Sequence, residues 1–514
     1  MKRTQLVSQG SIARMLQAAN DAIQRRNFRE AAEILERASR LDPGNPGILM
    51  QSGSACGRHY DYAAAERCFE KAVRLASRKA EALAAAGQLC SDFANYEMAE
   101  HYLRRAVEQN GATPEMKVRL AEVYERLRRL PEAAALVERV LQRDNTFGPA
   151  LFLQAKLDRQ ANRLEQAESR LRELAAKSEP SLCVRSWYEL GGVLDKQKRY
   201  DEAMSAFLVA KSLLRPQSAG PIAQLQTVRG RLKTMQAALS AELFQRWFDG
   251  GQALAPIRRL ALLGGHPRSG TTLLEKVVDS HPDIISAEET PIFHDEACSP
   301  LTQGMMENAS TLSVAESATA DTLRQSRERY FETMGMFLGQ PIGNRLLLDK
   351  NPSLTFMIPI LVRVFPEIKF LIALRDPRDV VLSCFMLPLV PLNQTAAAYL
   401  SLESTVEEYT ALMGVWRTVA PLMKNAWLEV RYEDMVNDLE SVARRALDFL
   451  GVSWDPAVLK FDEHARQTVV RSPTYADVTR PVFKTAIARW RNYRKYLEPH
   501  LPRLEPFVKA FGYE

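Results

Sequence analysis

Small and bulky apolar positions recur at a fixed interval through the first 215 residues of the chain. A bulky residue returns at steps of 34, 34, 34, 34 and 36 residues, at Phe28, Tyr62, Tyr96, Leu130, Leu164 and Tyr200. An alanine follows each after three residues, at Ala31, Ala65, Ala99, Ala133, Ala167 and Ala203. A second small residue precedes each alanine by twelve positions, at Ala19, Gly53, Gly87, Ala121, Ala155 and Gly191. Small residues are needed where two helices cross closely, so the pattern predicts stacked helical hairpins.

The pattern resembles the tetratricopeptide repeat family over residues 11–215. Helix breakers such as DPGNP (42–46) separate successive units. The resemblance implies an all-α solenoid whose groove binds a protein or peptide. The alternative is an array that serves only as a spacer or a dimerisation arm, and the sequence leaves the oligomeric state open, a dimer included. RPQSAGP (215–221) ends the repeats, and residues 216–257 are predicted to form a capping helix and connector.

A strand, a glycine-rich turn and a helix are predicted next. RLALLGG (259–265) is an apolar run of strand length, and TTLLEKVVDS (271–280) places apolar residues on one helical face. Backbone N–H groups at a helix N-terminus favour an anion, as does the helix dipole. The order therefore predicts a phosphate-binding loop at Gly265–Thr272.

One position of this loop differs from the loop of nucleoside triphosphatases. Gly265 and Gly270 keep the spacing, but Thr271 stands where those enzymes have the lysine that contacts the β- and γ-phosphates. Arg268 supplies positive charge inside the loop instead, which disfavours an ATP or GTP hydrolase. The candidate phosphate-binding residues are Pro267, Arg268, Ser269, Gly270, Thr271 and Thr272.

A second anion site is predicted after the strand FLIAL (370–374). Arg375 follows this strand, and Ser383 lies a little over two helical turns farther on. Ligands of α/β sheets gather at the carboxyl ends of strands, so both residues are candidates. The alternative is an arginine that only caps the sheet. A third strand, LLLDK (346–350), ends at Lys350.

The string PRSGTT (267–272) in this context resembles the sulfotransferase family. DSHPDIISAEET (279–290) is similar to its protein-tyrosine sulfotransferase branch in particular. The resemblance implies an α/β, P-loop-like sulfotransferase domain with a mainly parallel sheet over residues 258–514. It also implies 3′-phosphoadenosine 5′-phosphosulfate (PAPS) as the donor, PAP as the released nucleotide, and no metal.

The resemblance also assigns roles to residues. In the family the loop holds the 5′ end of the donor, and residues matching Arg375 and Ser383 hold its 3′-phosphate. Lys350 matches a lysine near the sulfuryl group, where Arg268 would add charge stabilisation. Glu289 aligns with the general base proposed for the tyrosine-sulfating branch. The alternative for Glu289 is a carboxylate at a helix entry.

Two later segments also resemble family motifs, and one position differs from the tyrosine-sulfating branch. Tyr432 in EVRYEDMV (429–436) matches the family's Tyr-Glu motif near the nucleotide. Residues 479–499 resemble the C-terminal segment of bacterial repeat-bearing sulfotransferases. Its residues expected to close over the donor are Lys484, Thr485 and Arg489. A solvated basic face is the alternative. Pro291 stands where the tyrosine-sulfating branch has an arginine.

Composition excludes several other classes of protein. A net charge of +6 on 514 residues is too small to indicate nucleic-acid binding. The six cysteines are scattered, which argues against a zinc site and a disulfide framework. There is no apolar run behind the N-terminal basic residues and none long enough to span a membrane. The expected location is cytoplasmic.

Four functions remain open from the sequence. The first is a sulfotransferase that modifies tyrosine in a protein or peptide captured by the repeats. The second keeps this chemistry with a carbohydrate or small-molecule acceptor. The third is a repeat scaffold with an inactive nucleotide domain, against which the retained candidate residues argue. The fourth, a phosphoryl-transferring kinase, is disfavoured by the missing loop lysine.

Overall fold

The computed structural model describes residues 2–302, 311–388, 394–423, 426–467 and 486–513. Its contacts divide the chain into two compact units, Met1–Leu174 and Ala175–Glu514. The predicted boundaries at 11–215, 216–257 and 258–514 stay a prediction. Among the described residues, no helix has both the length and the apolar character needed to cross a membrane.

The first unit consists of antiparallel helical hairpins, as the 34-residue pattern predicts. Its helices are α1 (Lys2–Gln24), α2 (Phe28–Leu41), α3 (Pro46–Arg58), α4 (Tyr62–Leu75), α5 (Lys79–Asp92), α6 (Tyr96–Val107), α7 (Pro114–Arg126), α8 (Leu130–Leu141), α9 (Gly148–Gln160) and α10 (Leu164–Lys177), the last of which continues past Leu174. The recurring bulky residue is the first residue of the second helix in each hairpin.

The turn inside each hairpin repeats the same backbone conformation. A non-glycine residue with φ near +60° lies two positions before the second helix, at Arg26, Tyr60, Ala94, Arg128, Asn162 and Lys198. In three turns the next residue caps that helix, because its side-chain oxygen accepts the backbone N–H three positions on, at Asn27, Asp61 and Asn95. The caps and the left-handed turn residues fix where each second helix starts.

Helix crossings explain the recurring small residues. A Cβ added to Gly53 would lie 2.5 Å from the Phe69 ring, and one added to Gly191 would lie 2.6 Å from the Phe207 ring. Each phenylalanine lies sixteen residues after its glycine, and Val137 bears the same relation to Ala121. The largest opposing side chain is therefore matched by the smallest residue, which keeps the two helices close.

The second unit contains the remaining helices and a five-stranded sheet. Its helices are α11 (Pro180–Lys196), α12 (Tyr200–Leu214), α13 (Ala219–Ala238), α14 (Ala241–Asp249), α15 (Thr271–Asp279), α16 (Ser299–Thr302), α17 (Thr311–Ser317), α18 (Ala320–Leu338), α19 (Ile358–Val364), α20 (Pro377–Phe385), α21 (Gln394–Ala397), α22 (Leu402–Val419), α23 (Tyr432–Asn437), α24 (Leu439–Leu450), α25 (Phe461–Gln467), α26 (Arg494–Leu497) and α27 (Leu501–Ala510). Its strands are β1 (Leu260–Gly265), β2 (Ile284–Glu288), β3 (Leu346–Lys350), β4 (Lys369–Leu374) and β5 (Trp427–Arg431).

The sheet is parallel in every pairing and has the order β2-β3-β1-β4-β5. Strand β1 is central and β3 and β4 flank it, with Leu263 opposite Lys350 and Gly265 opposite Ala373. The chain leaves β1 toward one side of the sheet and later returns to its other side. The loop after β1 therefore lies at a topological switch point, where α/β sheets bind ligands. The predicted fold class, a helical repeat region followed by a parallel α/β domain, is confirmed.

The last repeat hairpin, α11 and α12, belongs to the second unit and packs on its α/β part. Lys211 of α12 is buried and its Nζ donates to the Tyr399 carbonyl at 2.6 Å. Arg229 of α13 pairs with Glu407 at 2.7 Å and with Glu408 at 3.2 Å, both on α22. Each of these two basic side chains therefore has a polar partner where it leaves water.

Candidate active site

The loop between β1 and α15 has the geometry of an anion cradle. Gly265 has φ of +120°, and a Cβ there would lie 2.3 Å from the Ala373 carbonyl oxygen of β4. Gly270 has φ of +91° and is the residue before α15, which no side chain caps. Since Gly270 has no side chain to accept them, the N–H groups of the first turn of α15 are suited to an anion in the loop.

The predicted loop residues are held in place by burial and by one unusual backbone conformation. The buried members are Ser269, Thr271 and Thr272. Arg268 has φ of +73°, in the left-handed region that is uncommon for a residue with a side chain. The carbonyl of Pro267 accepts from Cys384 at 3.5 Å, which ties the loop to α20.

Three predicted residues from distant segments meet beside the loop. The Nε of Arg268 donates to the Ser383 hydroxyl at 3.0 Å, and Nη1 of Arg375 donates to the Arg268 carbonyl at 3.3 Å. Sequence reasoning assigned Arg268 and Ser383 to opposite ends of a donor, whereas the structure joins them directly. The Nε of Arg375 is buried and has no hydrogen-bond partner. A buried unpaired guanidinium nitrogen is a ready donor for an anion.

Tyr432 lies under this cluster. It follows β5 directly, and its ring packs so closely on Gly270 that a Cβ there would come within 2.6 Å of it. The Arg375 guanidinium stacks over the same ring at 5.0 Å from its centroid. Tyr432 therefore orients both the loop and the arginine.

Lys350 occupies a buried carboxylate cage at the end of β3. Its Nζ lies 2.7 Å from Glu289, 3.3 Å from Glu288 and 3.5 Å from Glu275. Burial alone would lower the pKa of Lys350, but the three carboxylates raise it above its ordinary value. Lys350 is fully buried, whereas the Glu289 side chain is 38% exposed. Glu289 is thus the member of the pair that an outside group can reach.

The backbone around Glu289 is fixed from β3. Its φ is +48°, and its N–H donates to the Lys350 carbonyl at 2.7 Å. The Asn351 side-chain amide donates to the Thr290 carbonyl at 2.7 Å. A carboxylate-bearing residue held in the left-handed region by two such contacts is characteristic of a functional site.

Sequence reasoning missed Glu275 and Glu288. Glu275 is buried on α15, and burial raises its pKa although Lys276 and Lys350 oppose this. Its side chain accepts from Ser286 at 2.7 Å. Glu288 ends β2 directly beside Lys350 in the register. The position of Glu288 next to Glu289 at a strand end could have indicated that it belongs to the site. The sequence around Glu275, in contrast, is that of an ordinary residue on a helix surface.

Two other missed residues support the site from beneath. The Thr355 hydroxyl donates to the Gly265 carbonyl at 2.7 Å and accepts from the Gly265 N–H at 2.8 Å. Asp349 accepts from the Tyr330 hydroxyl at 2.8 Å, while its other oxygen is buried without a partner. Burial raises the pKa of Asp349 to about 7 despite Tyr330 and Lys350, which lower it.

Residues 486–493, here named the C-terminal strap, contact residues at the predicted second anion site. The Ala486 carbonyl accepts from Arg375. Asp379 of α20 accepts the N–H of Ala488 at 2.8 Å and that of Trp490 at 2.7 Å. Burial raises the pKa of Asp379 to about 6, although Arg375 and the two N–H groups lower it.

Of the three C-terminal residues predicted to close over the donor, only Arg489 belongs to the described strap. Lys484 and Thr485 lie outside the described residues. Arg489 pairs with Asp195 of α11 at 2.7 Å, and its role over the donor stays a prediction.

Two family profiles match this chain. The Sulfotransferase family matches residues 261–456, which contain the loop, the lysine cage and Arg375. Tetratricopeptide repeat profiles match residues 16–77, 91–146 and 152–219. The second half of the chain therefore contains a sulfotransferase-family domain, and the first half a tetratricopeptide repeat array.

Individual relatives are distant. An uncharacterized protein of Aquifex aeolicus is 22% identical over 63% of this chain and 41% of its own length. Protein-tyrosine sulfotransferase 1 of Danio rerio is 28% identical over 45% of this chain and 65% of its own length. The sulfotransferase domain of the Synechococcus PCC 7002 olefin synthase is 22% identical over 48% of this chain and 96% of that domain, with a TM-score of 0.34. The matches thus span about two fifths to two thirds of these curated relatives.

Proposed function

We propose that this chain, which joins a tetratricopeptide repeat array to a sulfotransferase-family domain, transfers a sulfuryl group from PAPS to tyrosine. The acceptor would be a protein or peptide captured by the repeats. One observation carries the proposal. One edge of the parallel sheet brings together the Gly265–Thr272 loop, the Arg268–Ser383–Arg375 cluster and the Lys350–Glu289 pair. This arrangement supports two anion sites beside an acid and a base.

The donor fits these groups by charge and by hydrogen bonding. The N–H groups that open α15, with Arg268, would hold the 5′-phosphosulfate. Arg375 and Ser383 would hold the 3′-phosphate, since the unpartnered Nε of Arg375 provides a donor for an oxyanion. Sulfate carries less charge than phosphate, so these cations can stabilise the transferring group.

The reaction would be an in-line displacement at sulfur. The acceptor oxygen forms a bond to sulfur while the bond between sulfur and the bridging oxygen of the nucleotide breaks, which releases PAP. Glu289 takes the proton of the acceptor hydroxyl, and Lys350 neutralises the charge that grows on the bridging oxygen. Lys350 therefore has to exchange its 2.7 Å contact with Glu289 for the donor, which frees Glu289 to act as the base.

Support for a tyrosine acceptor comes from the relatives and the repeats. Protein-tyrosine sulfotransferases of several animals are 23–28% identical to this chain over about half its length. Tetratricopeptide arrays generally bind proteins or peptides. Pro291, in place of the arginine of the tyrosine-sulfating branch, favours the second candidate, a carbohydrate or small-molecule acceptor.

The direct test supplies the protein with [35S]PAPS and, in parallel, tyrosine peptides, glycans and simple phenols. We expect label on a tyrosine peptide. Label on a glycan or phenol alone would move the proposal to the second candidate. No transfer to any acceptor, with no thermal stabilisation by PAP, would leave a repeat scaffold with an inactive domain.

Substitutions separate chemistry from donor binding. We expect Glu289→Ala and Lys350→Ala to abolish turnover while PAP affinity is retained, with a loss of about 10²–10⁴-fold for the general base. Exposed residues provide matched controls, Glu328→Ala on α18 and Lys460→Ala, which should keep wild-type rates. Unchanged turnover in both active-site variants would refute the assigned roles.

A further inference from the structure

The carboxylate of Asp195, at the end of α11, is a second anchor for the C-terminal strap. Its Oδ1 accepts from the Tyr493 hydroxyl at 2.6 Å, and its Oδ2 pairs with Arg489 at 2.7 Å. Tyr493 is fully buried and its ring packs edge-on against Tyr200 of α12, with centroids 5.4 Å apart. The last repeat therefore holds Arg489 and Tyr493, which lie one residue before and three residues after Trp490.

The same strap residues are tied to the second anion site on their other side. The carboxylate of Asp379 accepts from the N–H groups of Ala488 and Trp490, and Arg375 lies 3.8 Å from that carboxylate. The Arg378 guanidinium stacks over the Trp490 ring at 4.3 Å. Because Arg375 also donates to the Ala486 carbonyl, a shift of the strap would move the partners that orient Arg375.

The far end of α20 is in contact with the same repeat. Lys211 of α12 lies over the ring of Phe385, the last residue of α20, at 4.9 Å. Helix α20 carries Ser383. The last repeat contacts the C-terminal end of this helix directly, and it is linked to the N-terminal end through the strap.

We propose that Asp195 is a positioning residue for donor binding, through which the last repeat holds the strap and thereby Arg375 and Asp379 in the geometry that takes the 3′-phosphate. This inference rests on the proposed function for the identity of the donor. It gives the last repeat a place in the catalytic unit besides any part in acceptor capture. A carboxylate that receives two charged or buried donors from one segment restrains that segment more strongly than packing alone.

The test measures PAP affinity by titration calorimetry in the full chain. Asp195→Ala should weaken PAP binding by roughly 5–150-fold, the usual range for coupling between sites, with kcat at saturating PAPS little changed. Tyr493→Phe, which removes only the hydroxyl, should shift affinity in the same direction and guards against a misfolded alanine variant. Asp201→Asn is the matched control, since Asp201 contacts Tyr496 and Lys495 beyond the strap and is largely exposed.

Hydrogen exchange tests the positioning role of Asp195 separately from the proposed function. In Asp195→Ala the amides of Ala488 and Trp490 should exchange faster, because their bonds to Asp379 open more often. Wild-type protein that does not bind PAP would refute the proposed function. Unchanged exchange at these amides, or wild-type PAP affinity in both variants, would overturn the positioning role of Asp195.

Discussion

At the scale of single residues, the site concentrates charge that the chain must compensate locally. One buried lysine, Lys350, faces three carboxylates, and Lys276 adds a second cation 3.6 Å from Glu275. Taking charges out of water is expensive unless they are paired. The cage therefore keeps Lys350 protonated, as its raised pKa indicates, while the Glu289 side chain stays 38% exposed.

Asp349 predicts a pH dependence of stability. Its pKa is about 7 in the folded protein because it is buried, against an ordinary value of 3.8. Between these values the folded state keeps a proton that the unfolded chain has released, so this group's contribution to stability falls as the pH rises. Asp349→Asn removes the titration. We expect the variant to gain up to about 3 kcal/mol relative to wild type between pH 5 and pH 7.

Calorimetric melting of both proteins across that range measures the difference. Other titrating groups are common to the two proteins and cancel. A stability difference that is constant with pH would mean that Asp349 stays ionised in the folded protein.

At the scale of elements, a feature could be predicted when its pattern lies within one short segment of the sequence. Small residues mark places where backbone segments approach closely. Those of the repeats therefore predicted helical hairpins, and those of the Gly265–Gly270 loop predicted an anion-binding turn. The left-handed turn residues did not stand out, because Arg26, Tyr60 and Lys198 are not glycines. Glu275 joins Lys350 only through the crossover from β1 to β3, which no local pattern encodes.

Size matching inside the hairpins gives a second stability prediction. Gly53→Ala places a Cβ 2.5 Å from the Phe69 ring, so we expect a loss of about 1–3 kcal/mol from overpacking. Adding Phe69→Leu should recover most of this loss, because a smaller side chain then opposes the alanine. Thermal denaturation of the single and double variants measures the coupling.

A glycine without neighbours provides the control. Nothing lies within 4 Å of a Cβ on Gly230 in α13, so Gly230→Ala should raise stability by roughly 1 kcal/mol through helix propensity. Equal destabilisation by Gly53→Ala alone and by the double variant would show that the ring does not set the crossing distance.

At the scale of the whole molecule, sequence repeats and compact units do not coincide. The repeat pattern runs to residue 215, but the second compact unit begins at Ala175 and includes α11 and α12. Sequence periodicity could not reveal this, because the contacts of Asp195 and Lys211 are with segments about 190 to 300 residues away. The last hairpin keeps the repeat fold while its outer residues contact the sulfotransferase-family domain.

Shortened proteins test that division. Residues 175–514 should fold and bind PAP, because they form one of the two compact units and keep the contacts of Asp195 and Lys211. Residues 216–514 lack Asp195, Tyr200 and Lys211, so the face of Tyr493 becomes exposed and we expect a lower melting temperature and weaker PAP binding. Equal stability and affinity of the two would show that the last repeat is dispensable.

Titration calorimetry with PAP and with AMP tests directly whether one sheet edge binds a donor phosphorylated at both ends. AMP lacks only the 3′-phosphate. We predict that wild-type protein binds PAP roughly 10–100-fold more tightly than AMP, as hydrogen bonds to a charged group imply. Ser383→Ala and Arg375→Lys should reduce that ratio, because PAP binding weakens more than AMP binding. Equal affinity of the wild-type protein for PAP and AMP would show that no site at this edge binds the 3′-phosphate.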